Sequence, residues 1–132
     1  MSTPAATVPR SALSAWLPVF AWATVIFAFS SVPSLGTDLG TWDTILRKLA
    51  HVAEFAILGG LLLRAVRRPG VAFALGLLYA ATDEVHQTFV EGRHGAPIDV
   101  AIDAAGVLAG VLAWRWLESP FGSYAMTTRS GR

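Results

Sequence analysis

Apolar residues fall into four long runs separated by short polar stretches. The first, Ala12 to Ser30, holds no charged residue, and as a helix rising roughly 1.5 Å per residue it nearly spans a hydrocarbon core of about 30 Å. The second extends from about Ile45 to Leu63 and is apolar after opening turns that carry Arg47, Lys48, His51 and Glu54. The third extends from about Val71 to Val90 and is apolar until Asp83, Glu84, His86 and Gln87. The fourth extends from about Ile98 to Leu117, with Asp99 and Asp103 in its opening turns. This pattern predicts spanning helices over 12–30, 45–63, 71–90 and 98–117, joined by short loops. The expected fold is all-α, a four-helix transmembrane bundle over 12–118. A polar N-terminal stretch (1–11) precedes it, and a Ser-, Thr- and Gly-rich tail (119–132), expected to be disordered, follows it. Arg10 before the first run, and Ser30-Ser31 after it, give that run some likeness to a secretory signal. It exceeds the usual core of roughly 7–15 residues, however, and is counted as a span.

Composition agrees with burial in lipid. Of 132 residues, 54% are hydrophobic and 14% charged, against about 25% charged in a typical soluble domain, and mean hydropathy is +0.53. So little charge would barely cover the surface of a small soluble domain. A net charge of +1 and the absence of cysteine argue against a disordered chain, a nucleic-acid partner and a secreted disulfide scaffold. Four spans put both termini on one side with Arg64, Arg67 and Arg68, together with Arg10, Arg115, Arg129 and Arg132. The other side carries Asp38 and Asp43, and its cations Arg47, Lys48 and Arg93 stand beside acids. This asymmetry predicts cytoplasmic termini, with Trp16, Trp114 and Trp116 in the inner aromatic belt and Trp42 in the outer.

In that topology the titratable groups named above within the spans, Arg47, Lys48, His51, Glu54, Asp83, Glu84, His86, Asp99 and Asp103, lie in the outer half of the bilayer. A charge at the centre of a spanning helix costs on the order of 3 kcal/mol, so such groups are expected to face the bundle interior. Arg47, His51, Glu54 and Leu58 form one helical stripe; Gly76, Tyr79, Asp83 and Gln87 form a second; Asp99, Asp103, Gly106 and Gly110 form a third. Gly106 and Gly110 are a small-xxx-small pair that admits a neighbouring helix. The three stripes are expected to meet in a polar pocket open to the outside and closed by residues 91–97. Its expected ligand-binding residues are Lys48, His51, Glu54, Asp83, Glu84, Gln87, Arg93, Asp99 and Asp103, and the catalytic candidates are His51, Glu54, Asp83 and Glu84.

Several of these residues admit two roles. His51 with Glu54 is either a buried interhelical contact or an acid–base imidazole oriented by a carboxylate. Asp83, Glu84 and Gln87 are expected in a network with Arg47, Lys48 or Arg93. Arg93 either grips phosphate or carboxylate in a bidentate fork or pairs with Asp99 or Asp103. No cofactor and no metal are expected, because the chain contains neither an H-E-x-x-H pair nor a repeated E-x-x-H element.

The run Asp83-Glu84-Val85-His86-Gln87-Thr88-Phe89-Val90-Glu91-Gly92-Arg93, followed by Asp99-Val100, Asp103, Gly106 and Gly110, resembles the VanZ-like family of small multi-spanning bacterial membrane proteins. Arg47-Lys48-Leu49-Ala50-His51 with Glu54 is similar to that family's K-x-x-H element, and Phe29-Ser30-Ser31-Val32-Pro33 to its serine-rich end of the first span. The likeness covers roughly 21–117. Glu91 stands where the family often has proline, and Ala96-Pro97 replaces a more polar stretch. The resemblance implies a cell-envelope membrane protein, and the member that names the family is associated with resistance to teicoplanin; it implies no reaction. The expected function is an outward pocket for a charged or lipid-linked envelope ligand, such as the head of a cell-wall precursor. The alternatives are a hydrolase or transferase acting on a polyprenyl-phosphate-type lipid, and a proton-coupled transporter. Membrane lipids are the expected partners, with oligomerisation left open.

Overall fold

The computed structural model describes residues 11–33 and 40–119. Among these the chain is all-helical: α1 is Ala12–Ser30, α2 Thr41–Val66, α3 Pro69–Gln87 and α4 Pro97–Glu118. The expected N-terminal stretch and C-terminal tail fall outside the described residues, apart from Ser11 and Ser119.

Local chemistry sets the helix ends. The Ser11 hydroxyl caps α1 by accepting from the Ser14 N–H at 3.2 Å. Pro69 and Pro97 open α3 and α4, at positions whose missing N–H costs no helical bond. α2 closes on Arg67 in the left-handed region (φ 60°), with its N–H on the Leu63 carbonyl at 2.8 Å. Pro18 cannot donate to the carbonyl of Ser14, and Arg64 of α2 fills that vacancy with its Nη1 at 3.2 Å.

Two boundaries differ from the hydropathy reading. α2 is longer than 45–63; its 26 residues extend about 39 Å, some 9 Å beyond a hydrocarbon core. α3 stops at Gln87 instead of reaching Val90. The N–H groups of Thr88, Phe89 and Val90 bond the carbonyls three residues back, the Thr88 hydroxyl takes the Val85 carbonyl at 2.6 Å, and the chain turns through Gly92 at φ 74°.

Neighbouring helices run antiparallel. The C-terminal ends of α1 and α3 and the N-terminal ends of α2 and α4 share one end of the bundle. α2 is central. It packs most extensively on α4, then on α3 and α1, and α1 does not reach α4. The α2–α4 seam depends on glycine. A Cβ on Gly110 would run into the Ala56 backbone, one on Gly59 into the Val107 carbonyl, and one on Gly106 would lie 2.7 Å from the Val52 carbonyl. Phe55, Leu58, Val107 and Val111 fill the core beside this seam. The Trp22 indole donates to the Glu54 carbonyl at 2.9 Å, and the Tyr79 hydroxyl to the Ala23 carbonyl at 2.5 Å, tying α1 to α2 and α3.

α1, α2 and α4 are long and apolar enough to cross a membrane. α3 has the length, but its last turns carry Asp83, Glu84, His86 and Gln87. Three of these are buried inside the bundle, with Asp83 3%, Glu84 6% and Gln87 8% exposed. Large apolar side chains such as Leu13, Phe20, Leu78 and Leu112 point outward, as lipid-facing residues do.

Gly110→Ala should destabilise the protein by about 1–3 kcal/mol through overpacking against Ala56. Ala109→Val, at an exposed position of α4, should shift it by less than about 0.5 kcal/mol. Thermal unfolding in detergent measures both.

Candidate functional site

At the end of the bundle shared by the α2 and α4 N-termini, a cavity of about 310 Å³ opens between α2, α3, α4 and the α3–α4 loop. Arg47, Lys48, His51, Glu84, Gln87, Arg93, Asp99 and Asp103 line it, with Asp43, Thr44, Gly92, His94 and Ile102. The rim is held by two ion pairs, Arg47 Nε to Asp43 Oδ2 at 3.1 Å and Lys48 Nζ to Asp99 Oδ1 at 3.2 Å. The four side chains are between about a third and nearly a half exposed, so each pair contributes at most about 1 kcal/mol. Deeper, His51 Nδ1 approaches Asp103 Oδ1 at 3.4 Å, and the His51 ring stacks on Phe55.

The acids of α3 are organised by partners other than cations. Asp83 Oδ2 accepts from the Ser30 hydroxyl at 2.8 Å and from the Gln87 amide at 3.0 Å. Glu84 Oε1 accepts from the Ala96 N–H at 2.6 Å, which pins the loop ahead of α4. Arg93 does not pair with Asp99 or Asp103. Its Nε donates to the Val32 carbonyl at 3.0 Å and its Nη2 to the Phe29 carbonyl at 3.3 Å. A cation there adds a donor to carbonyls at and just beyond the α1 C-terminus and complements the negative end of its dipole. Burial, and then the neighbouring Arg47 guanidinium, hold Arg93 below the ordinary arginine value.

Eight of the nine expected binding residues therefore surround one recess or its floor: Lys48, His51, Glu84, Gln87, Arg93, Asp99 and Asp103 line it, and Asp83 lies against His51 and Asp103. Glu54 is the exception. It sits about 60° around α2 from His51 and does not line the cavity, while its backbone carbonyl receives Trp22 from α1. The carboxylate that faces the imidazole is Asp103 instead. The pairing of Asp83, Glu84 and Gln87 with Arg47, Lys48 or Arg93 is likewise replaced, by Ser30 and the Ala96 N–H. Sequence reasoning assigned Ser30 no role at the site. A hydroxyl in the last turn of an otherwise apolar span was the available signal. Ser31, beside it, meets the His86 ring at 2.9 Å.

The family model described as VanZ/LLP1 matches residues 6–118. The chain belongs to the VanZ/LLP1 family. With three helices able to cross a bilayer, this VanZ/LLP1 chain is a membrane protein. No curated protein and no solved structure matches it.

Removing the hydroxyl that ties α1 to α3 leaves Asp83 Oδ2 with Gln87 alone. Ser30→Ala should therefore cost about 1–3 kcal/mol, read as a lower unfolding temperature, whereas Thr24→Ala on the exposed side of α1 should change it by less than about 0.5 kcal/mol.

Proposed function

We propose that this membrane protein receives the charged, hydrogen-bonding headgroup of an envelope lipid, such as a lipid-linked cell-wall precursor, in the cavity between α2, α3 and α4. The observation that carries this reading is the wall itself. Arg47, Lys48 and Arg93 stand around one recess of about 310 Å³ at a bundle end, a volume within the roughly 300–1,000 Å³ typical of small-molecule sites. Guanidinium and ammonium groups at the rim suit phosphate. The carboxylates between them suit the hydroxyls or amine of a headgroup bearing sugar or amino acid. The outward apolar faces of the helices let an acyl or prenyl chain remain in the bilayer.

In this reading all four helices cross the membrane, the cavity opens on the extracytoplasmic side and both termini are cytoplasmic. The loop arginines Arg67 and Arg68, at the opposite end from the cavity, support that orientation. Beneath the recess the core is apolar, with Phe55, Leu58, Val107 and Val111 buried, and this favours a binding site over a proton path through the bundle. A link to teicoplanin resistance rests on the family resemblance, and its test is the teicoplanin susceptibility of cells with and without the protein.

Native mass spectrometry from mixed-lipid nanodiscs should show anionic phospholipid retained over zwitterionic lipid. The double variant Arg47→Gln/Lys48→Gln should weaken that retention about tenfold, as loss of charge-assisted hydrogen bonds does. Equal retention of both lipids by the wild type, or unchanged selectivity in the variant, overturns the reading. The chain has no cysteine, so single substitutions report sidedness. A membrane-impermeant maleimide should label Thr44→Cys in intact cells and Arg68→Cys only after permeabilisation.

A further inference from the structure

Headgroup binding at the rim leaves one oxygen each of Asp83 and Asp103, at and beneath the cavity floor, unmatched. His51 from α2, Asp83 from α3 and Asp103 from α4 each bring one donor atom within 4.8 Å of the others. Asp83 is 3% exposed and Asp103 1%. Asp83 Oδ1 and Asp103 Oδ2 are buried with no hydrogen-bond partner among the described residues. A buried carboxylate oxygen is expensive to leave unmatched, and here two of them stand on adjacent helices. The nearby cations are engaged elsewhere: Lys48 on Asp99, Arg47 on Asp43, and Arg93 on the carbonyls of Val32 and Phe29.

We propose that His51, Asp83 and Asp103 bind a single divalent transition-metal ion of the zinc or manganese class. An imidazole with two carboxylates is a donor set for such ions, whereas magnesium and calcium favour oxygen alone. Small rotamer changes bring donors this close together to metal–ligand distances of roughly 2.0–2.2 Å. The outer contacts are already in place. Ser30 and Gln87 donate to Asp83 Oδ2, leaving Oδ1 for the metal, and such outer-shell bonds fix a ligand's orientation. His51 and Asp103 also line the cavity, so the coordination positions left by three protein ligands face the recess. An ion there neutralises the two buried carboxylates and offers an oxygen of a headgroup its open coordination positions. The metal site stands on the orphaned oxygens and not on what fills the rim.

The test uses the full chain in detergent without added lipid, which separates it from headgroup binding. Protein stripped with a chelator is reloaded with Zn²⁺ or Mn²⁺ alone, desalted and assayed by elemental mass spectrometry. The expected result is about one ion per chain, falling about tenfold or more in Asp83→Asn, Asp103→Asn and His51→Gln. Glu118→Gln, at the opposite end, should retain the wild-type content. Less than about a tenth of an ion in wild type with both metals, or undiminished content in folded variants, overturns the proposal. Should the variants fail to fold, Co²⁺ titration of the wild-type chain decides. Visible ligand-field bands that Zn²⁺ abolishes support the site, and their absence refutes it.

Discussion

The near-contact of the α2 and α4 backbones governs much of this structure. At Gly59, Gly106 and Gly110 no Cβ can be accommodated without displacing backbone of the opposing helix. In a bilayer, where lipid tails are as apolar as the side chains they replace, such close packing drives helix association. One turn before Gly106, α4 carries Asp103, and the approach that the glycines permit sets this carboxylate against His51. The same seam buries Phe55, Leu58, Val107 and Val111, so the polar recess rests on a dense apolar plug.

A second constraint is the cost of placing acids inside that apolar bundle. Asp83, Glu84 and Asp103 are all nearly inaccessible, and each is partly compensated by a different device: a hydroxyl and an amide on Asp83, a backbone N–H on Glu84, an imidazole on Asp103. At this end of the bundle the lysine and arginine ion pairs sit at the rim, where water reduces both their cost and their benefit. Cations at the rim and buried acids thereby form a vertical gradient, with the unmatched carboxylate oxygens of Asp83 and Asp103 beneath Arg47 and Lys48. Arg93 joins the two levels. By binding carbonyls at the end of α1 it draws the α3–α4 loop over the recess, and Glu84 holds the far end of that loop through Ala96.

Hydropathy and helical spacing made the element order legible, along with the inward stripes of α3 and α4 and the collection of most polar residues at one bundle end. These depend on properties local to a helix: length, period, and the penalty for turning charge toward lipid. Partner choice was not legible. Glu54 shares a stripe with Arg47 and Leu58, yet it lies nearly two turns further along α2 than Arg47 and outside the cavity lining, while Trp22 of α1 engages its backbone carbonyl. Arg93 had two acidic partners within plausible sequence reach and took backbone carbonyls of α1 instead.

Sequence alone determined that four helices form, three of them apolar enough to cross a bilayer, that the chain is membrane-bound, and which face of α3 and α4 points inward, because those outcomes follow from transfer energies summed along each helix. Only tertiary structure decided that Asp103 faces His51, that Ser30 supports Asp83, and that three ligand-type side chains from three helices converge. Each of these pairings depends on the rotation and offset between helices, which the interhelical glycine contacts control and no single helical period encodes.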